Sequence, residues 1–156
     1  MDKIDALNQV AEFHRTFKAP ILDSPQIPGA KRAKLRYDLL AEELREFQEA
    51  IDNQDLVEAA DALCDIQYVL SGAVLEFGLG KKFVALFNEV QRSNMSKACS
   101  TYEEAEATTK FYLAKDGTES YIEEDNGKFL VFRKADNKVL KSVNYSAADL
   151  KGILEK

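Results

Sequence analysis

The sequence predicts a mainly α-helical protein, a four-helix core over roughly the first 100 residues followed by a small α+β appendage. Three observations predict it. Apolar residues recur at helical spacing in four successive segments. All three prolines, Pro20, Pro25 and Pro28, fall in the single stretch APILDSPQIPGA, so no proline interrupts the helices beyond it. From about Ser100 the pattern shortens to alternating runs split by Asn126-Gly127, a strong hairpin signal.

The first helix is expected over residues 3–18, on the spacing of Ile4, Leu7, Val10/Ala11 and Phe13/Phe17, with Phe13 and Phe17 read as core aromatics. The second runs from Ala30 to Ile51 on the stripe Leu40, Leu44, Phe47, Ile51. Asp52-Asn53-Gln54-Asp55 breaks it and offers cap side chains to the third helix, Leu56 to Phe77. That helix is apolar over most of its circumference and wants covering on several sides; Cys64 is expected inside it as a small hydrophobe. Gly78 and Gly80 flank its stop, and a fourth helix follows from Lys81 to about Lys97. Residues 1–99 thus form the expected helical domain.

Residues 100–156 read as the accessory segment. A more polar helix spans Tyr102 to Lys115, then strands are expected around Ser120–Glu123 and Lys128–Arg133. Val139 to Val143 is expected as a third strand, and Tyr145 to Leu154 as a short helix capped by Ser146.

Composition removes several functional classes. The 156 residues carry 21 Lys+Arg against 27 Asp+Glu, and a net charge of −6 argues against a general affinity for nucleic acid. Hydrophobic residues at 46% and charged residues at 31% suit an ordinary globular domain. Cys64 and Cys99 make neither a metal spacing nor a disulfide framework, and point to a reducing cytoplasm. The start MDKIDALNQV lacks the pattern of a signal peptide, and no apolar run is long enough to span a bilayer.

The chemistry is carried by acid groups. Nine acidic residues and one basic residue, Arg45, lie between Glu42 and Asp65. On the second helix Glu43 and Glu46 interleave with Leu39 and Ala50, which places them beside the apolar stripe. On the third, Glu58, Asp61, Asp65 and Glu76 fall within an arc of roughly 60°, with no basic residue on that helix to neutralise them. A short break between the helices favours antiparallel neighbours, so the two sets of carboxylates can face each other. Such a cluster repels itself unless cations fill it, and hard oxygen ligands suit Mg²⁺ or Mn²⁺. The single histidine, His14, lies far from the cluster in sequence, which excludes a ferritin-like di-iron site and histidine-ligated zinc. The plainer alternative is a solvated face, with Asp55-x-x-Glu58 serving only as a capping box.

Glu42-Glu43-Leu44-Arg45-Glu46 followed by Glu58-Ala59-Ala60-Asp61 resembles the EExxE…ExxD signature of the all-α nucleoside triphosphate pyrophosphohydrolases, the MazG-like group. DALCDIQYVLSGAVLEFGLG (61–80) and EVQRSNMSK (89–97) are most similar to its phosphoribosyl-ATP pyrophosphohydrolase-like branch, and KVLKSVNYSAADLKGIL (138–154) resembles the C-terminal segment of that branch. Eleven residues separate Glu46 from Glu58, slightly tighter than the family's spacing, and Asp65, in D-I-Q-Y, competes with Asp61 for the family's metal aspartate.

The resemblance implies a four-helix MazG-like core. It implies Mg²⁺ (or Mn²⁺) ligated by Glu43, Glu46, Glu58 and Asp61, with Asp65 as a further ligand or support, and Glu42 as the group that orients or deprotonates the attacking water. Hydrolysis between the α and β phosphates of a (deoxy)nucleoside triphosphate would give the monophosphate and pyrophosphate. Arg92, Asn94 and Lys97 become phosphate contacts; the first helix lines the nucleotide cleft, which offers Phe13, His14 or Phe17 to a base as the alternative to core packing, and Tyr68 to the ribose or base. A site split between helices of one small chain and the near all-round apolarity of Leu56–Phe77 predict a homodimer or dimer of dimers with the third helix at the interface, in the cytoplasm to which the cysteines point. Two alternatives stay open: phosphoribosyl-ATP as substrate, and a non-catalytic helical oligomerisation module.

Overall fold

The computed structural model describes residues 4–155. Its elements are mainly helical, as expected: α1 (Ala6–Thr16), α2 (Ala30–Asp52), α3 (Leu56–Glu76), α4 (Phe83–Met95), α5 (Tyr102–Asp116), β1 (Ser120–Asp125), β2 (Lys128–Arg133) and α6 (Leu150–Leu154). By internal contacts the chain divides into two compact units, Met1–Phe83 and Val84–Lys156. Within the second unit α4 bonds to the C-terminal segment: Ser93 Oγ lies 2.9 Å from Tyr145 Oη, and Arg92 donates to the Ala147 carbonyl.

In the first unit α2 and α3 pack along each other, and α1 packs on α3. The α2–α3 connection is held by Asp55, whose carboxylate caps α3 by accepting from the backbone N–H groups of Val57 and Glu58. Val10, Ala11 and Leu75 form the buried apolar cluster, with Leu7 and Ile21 against it.

Three expectations about this unit are corrected. The buried face of α1 runs through Val10, Ala11 and His14, which rotates Phe13 and Phe17 out of the core and leaves Phe17 67% exposed. On α2, Leu44 and Ile51 are exposed, and Cys64 on α3 is exposed rather than interior. Burial on α3 is confined to Ala62 and its C-terminal end; toward its start Leu56 is 81% exposed and Val57 and Leu63 also face out.

In the second unit α5 packs on a two-stranded antiparallel sheet in which Tyr121 faces Phe132 and Asp125 faces Lys128. The turn is the expected one: Asn126 and Gly127 both take positive φ (48° and 72°), the backbone twist that a two-residue hairpin requires. Cys99, Ala105, Val131 and Leu140 are its core. The expected third strand reduces to an isolated bridge between Phe132 and Val139. The final helix starts later than expected, at Leu150, because Asp149 and not Ser146 caps it, accepting from the Gly152 N–H.

Candidate active site

The acidic strips of α2 and α3 meet along the seam between the two helices. Glu43 is the half-buried member of the group, and its Oε2 is buried without a hydrogen-bond partner. Burial, then the negative charges of Asp65, Glu46, Glu42 and Asp61, push its carboxyl above the ordinary glutamate range. Four of the carboxylates singled out from sequence, two of them contributed by α3, therefore act on a fifth, Glu43. Asp65 presses on Glu43 harder than Asp61 does. Farther along the seam, Glu46 and Glu58 line a shared cleft of about 300 Å³ with Glu49, Ala50, Asn53 and Asp55.

The capping-box alternative is half realised. Asp55 caps α3, but its own N–H donates to the Ala50 carbonyl, so the Glu58 carboxylate does not return the bond. Glu58 is left facing the cleft.

Glu76 shares the acidic arc but not its surroundings. It is fully buried, and it accepts from the guanidinium groups of Arg32 and Arg36 of α2, both Nε contacts at 2.9 Å. Those two arginines hold its carboxyl below the ordinary range against the cost of burial. The cations that sequence reasoning did not find on α3 come from its neighbour, and no spacing within α3 could reveal them.

His14 is also drawn into this network. At 2% exposure its Nδ1–H donates to the Pro20 carbonyl (2.8 Å) and its Nε2 accepts from Arg36 Nη2 (3.1 Å). Both ring nitrogens are thus occupied within the fold. Its exposed neighbours form an aromatic group: Phe13 and Phe17 centroids lie 4.5 Å apart, and Phe13 meets Tyr68 edge-on at 5.6 Å. Tyr68 also lines an apolar cleft of about 380 Å³ with Ile4, Gln9, Leu63, Cys64 and Gln67. The second unit carries the remaining residues. Arg92 is bound to Glu89 and to the Ala147 carbonyl, and Lys97 donates to Asn94 Oδ1 at 2.8 Å.

The donor set fits a hard divalent cation. It is all oxygen, it carries a buried carboxylate atom lacking a partner, and its mutual repulsion is what bound positive charge relieves. The side chains are neighbours and not a preformed cage: among the described residues no three His, Cys, Asp or Glu groups converge closely enough to hold an ion. Among them, too, no helix is long and apolar enough to cross a membrane.

Comparison with known proteins is consistent with this geometry. The chain is 24% identical to the uncharacterised protein L479 of Acanthamoeba polyphaga mimivirus, over an alignment taking in 99% of this chain and 97% of that one. The family model for phosphoribosyl-ATP pyrophosphohydrolase matches residues 10–94, a stretch that contains most of α1, all of α2 and α3, and every carboxylate of the seam. With more than half its length matched, the chain belongs to the phosphoribosyl-ATP pyrophosphohydrolase family within the MazG-like all-α superfamily, and is a nucleotide pyrophosphohydrolase, a hydrolase acting on acid anhydrides.

Proposed function

We propose that the substrate is a (deoxy)nucleoside triphosphate, hydrolysed between the α and β phosphates to the monophosphate and pyrophosphate in a Mg²⁺-dependent reaction. The observation that carries this reading is the partnerless, half-buried Glu43 among four other carboxylates. Glu43, Glu46, Glu58 and Asp61 would hold the metal, with Asp65 the α3 group that acts more strongly on Glu43. When bound, Mg²⁺ or Mn²⁺ neutralises phosphate charge and lowers the pKa of ligated water.

The chain's own residues supply the rest. Glu42 is an exposed carboxylate beside the buried one, free to take the proton of the attacking water on an oxygen. The exposed rings of Phe13, Phe17 and Tyr68 offer faces for a base. Asn94 and Lys97 remain phosphate donors on the strength of the resemblance, whereas Arg92 is already committed to Glu89 and a backbone carbonyl. The open start of α3, with Leu56, Val57 and Leu63 uncovered, supports a homodimer through that helix in a cytoplasmic enzyme. Light scattering that gives only the 17.5 kDa monomer would remove the dimer.

The test is pyrophosphate release from a panel of nucleoside triphosphates and phosphoribosyl-ATP, with Glu46→Gln as the control. Turnover of the triphosphates that collapses in the variant supports the reading; full activity in the variant places the chemistry elsewhere. The family match favours one second reading, phosphoribosyl-ATP itself, and the same panel separates the two. A thermal midpoint unmoved by Mg²⁺ or Mn²⁺ would instead favour a non-catalytic helical module, since a ligand of the native state raises its stability.

A further inference from the structure

The two edges of the β1–β2 hairpin are finished differently. Successive residues of a strand turn their N–H and C=O groups to alternate sides. The Lys134 N–H donates to the Glu119 carbonyl (3.0 Å), and with the pairing of Ser120 and Arg133 this fixes the side that each residue serves. Tyr121, Glu123 and Asp125 bond toward β2, to Phe132, Leu130 and Lys128. Phe129, Val131 and Arg133 then point away from β1, and each is met. Cys99 and Phe129 exchange bonds at 2.9 and 3.0 Å, Leu140 donates to the Val131 carbonyl (2.8 Å), and Arg133 donates to the Lys138 carbonyl (2.9 Å). On β1 the outward groups belong to Ser120, Ile122 and Glu124, and among the described residues no backbone group bonds to them. That edge is open along all six residues of the strand.

The side chains of β1 decide what can lie against it. Ile122 pairs with the buried Val131 on the face that meets the core, so Tyr121, Glu123 and Asp125 share the opposite face, and all three are exposed. Glu124, on the core side, is exposed as well. Among the described residues Glu123, Glu124 and Asp125 form no ion pair, although Lys128 stands across from Asp125. Three carboxylates in succession turn two copies of this edge against each other, because like charges on neighbouring strands repel. The same row attracts a strand of opposite sign. Tyr121, stacked on Phe132 with centroids 5.4 Å apart, adds an apolar neighbour at the start of the row.

We infer that the β1 edge is a docking site for an extended cationic segment of another protein, which adds to the sheet as a third strand. The N–H and C=O groups of Ser120, Ile122 and Glu124 bond its backbone; Lys or Arg side chains lie beside Glu123 and Asp125, and an apolar one beside Tyr121. Backbone bonds give such a strand its affinity, and its alternate side chains give the selectivity. Every residue involved lies beyond 10–94, so the accessory segment is a recognition element, whichever phosphate compound the enzyme hydrolyses.

The experiment combines the full chain with a synthetic peptide of alternating Lys and Val, six residues long to match β1. Binding is followed by fluorescence anisotropy and amide hydrogen exchange by NMR. In the free chain Tyr121, Glu123 and Asp125 should exchange slowly and Ile122 and Glu124 quickly. Saturating peptide should slow Ile122 and Glu124 roughly tenfold or more, while a Glu-Val peptide of the same length should not bind. Glu123→Lys, which alters only an exposed side chain, should weaken binding roughly tenfold. Glu124→Pro removes an outward N–H, spares the bonds to β2 and should abolish binding, whereas Glu124→Gln should retain most of it. Far-UV dichroism checks the fold of the proline variant, and Glu123→Lys decides the matter if that variant is unfolded. Absence of binding overturns the docking site, as does binding that leaves Ile122 and Glu124 exchanging as before or that Glu123→Lys does not alter. Protection of those two amides that grows with protein concentration in the absence of peptide would overturn it too, giving the edge to a second copy of the chain.

Discussion

The two ends of α3 take the same residue type into opposite surroundings. At its C-terminal end Glu76 is fully buried and held by Arg32 and Arg36; toward its start Glu58, Asp61 and Asp65 are exposed and form no ion pair among the described residues. The four share one arc of the helix, so the helix itself does not distinguish them. What distinguishes them is the facing stretch of α2, which presents arginines near its start and glutamates a few turns later. Arg36 opposite Glu76 neutralises a buried charge. Glu43 opposite Asp61 and Asp65 leaves one more buried carboxylate atom without a partner. A carboxylate on an apolar helix is thus a structural ion pair or a candidate ligand according to its neighbour.

The sharpest way to break this contrast is Arg36→Ala. It leaves a fully buried glutamate with a single partner, for which a loss of about 3–5 kcal/mol is expected in urea unfolding. A loss below ~1 kcal/mol would put the pair in the class of surface bridges and erase the difference between the two ends. At the other end, Glu42→Gln should do the reverse. Glu42 is exposed, so stability should move by no more than ~0.5 kcal/mol. Pyrophosphohydrolase turnover should fall by about a hundredfold or more, the scale of a lost general base. Comparable turnover in wild type and variant would take the proton-accepting role away from Glu42.

How much of this was legible in the sequence follows from the same contrast. Helices, the α2–α3 break with its Asp55 cap, and the Asn126-Gly127 turn are local, and each was readable from spacing and residue type. The strip of carboxylates was readable too, because it repeats at helical period on two adjacent segments. Roles that depend on a partner far along the chain were not. Glu76 looked like one more member of the acidic arc because Arg32 and Arg36 stand 44 and 40 positions away. His14 and Phe13 are adjacent and equally compatible with a core face; a rotation of one position on α1 buried the histidine and exposed the ring. Cys64 and Leu44 looked interior from their residue type and proved exposed.

Gly72 sharpens the buried end of the comparison. A Cβ there would stand 2.6 Å from Arg36 Nη1 and 3.1 Å from His14 Nε2. Arg36 cannot swing away without leaving Glu76, and His14 is pinned by Pro20. The helix approaches so closely because glycine has no side chain at this point. Gly72→Ala, favourable by helix propensity alone, should nonetheless cost about 1–3 kcal/mol by overpacking. Thermal unfolding that shows a gain would mean the arginine relaxes easily and that the network is looser than its geometry.

Glu43→Gln should give the smallest change, yet its sign separates the two ends most cleanly. The Glu43 carboxyl lies above its ordinary pKa in the folded chain, through burial and then through Asp65, Glu46, Glu42 and Asp61. The folded state therefore holds that proton more tightly than the unfolded state does. Its contribution to stability is fully present below the ordinary glutamate pKa and is lost as pH rises through the raised value. Glutamine stays neutral throughout. In metal-free buffer the variant should match wild type in acid and become the more stable of the two as pH rises toward neutrality. Glu76 is lowered instead, so its contribution is present above the ordinary pKa and is lost as pH falls through the lowered value. Glu76→Gln should accordingly be the less stable chain at neutral pH, with the gap closing in acid. Unfolding midpoints of both variants across pH test this directly: gaps of opposite sign support one structural and one site carboxylate on facing stretches of the same two helices, and a destabilised Glu43→Gln at neutral pH would show that Glu43, too, is held by partners and has no charge to share with a cation.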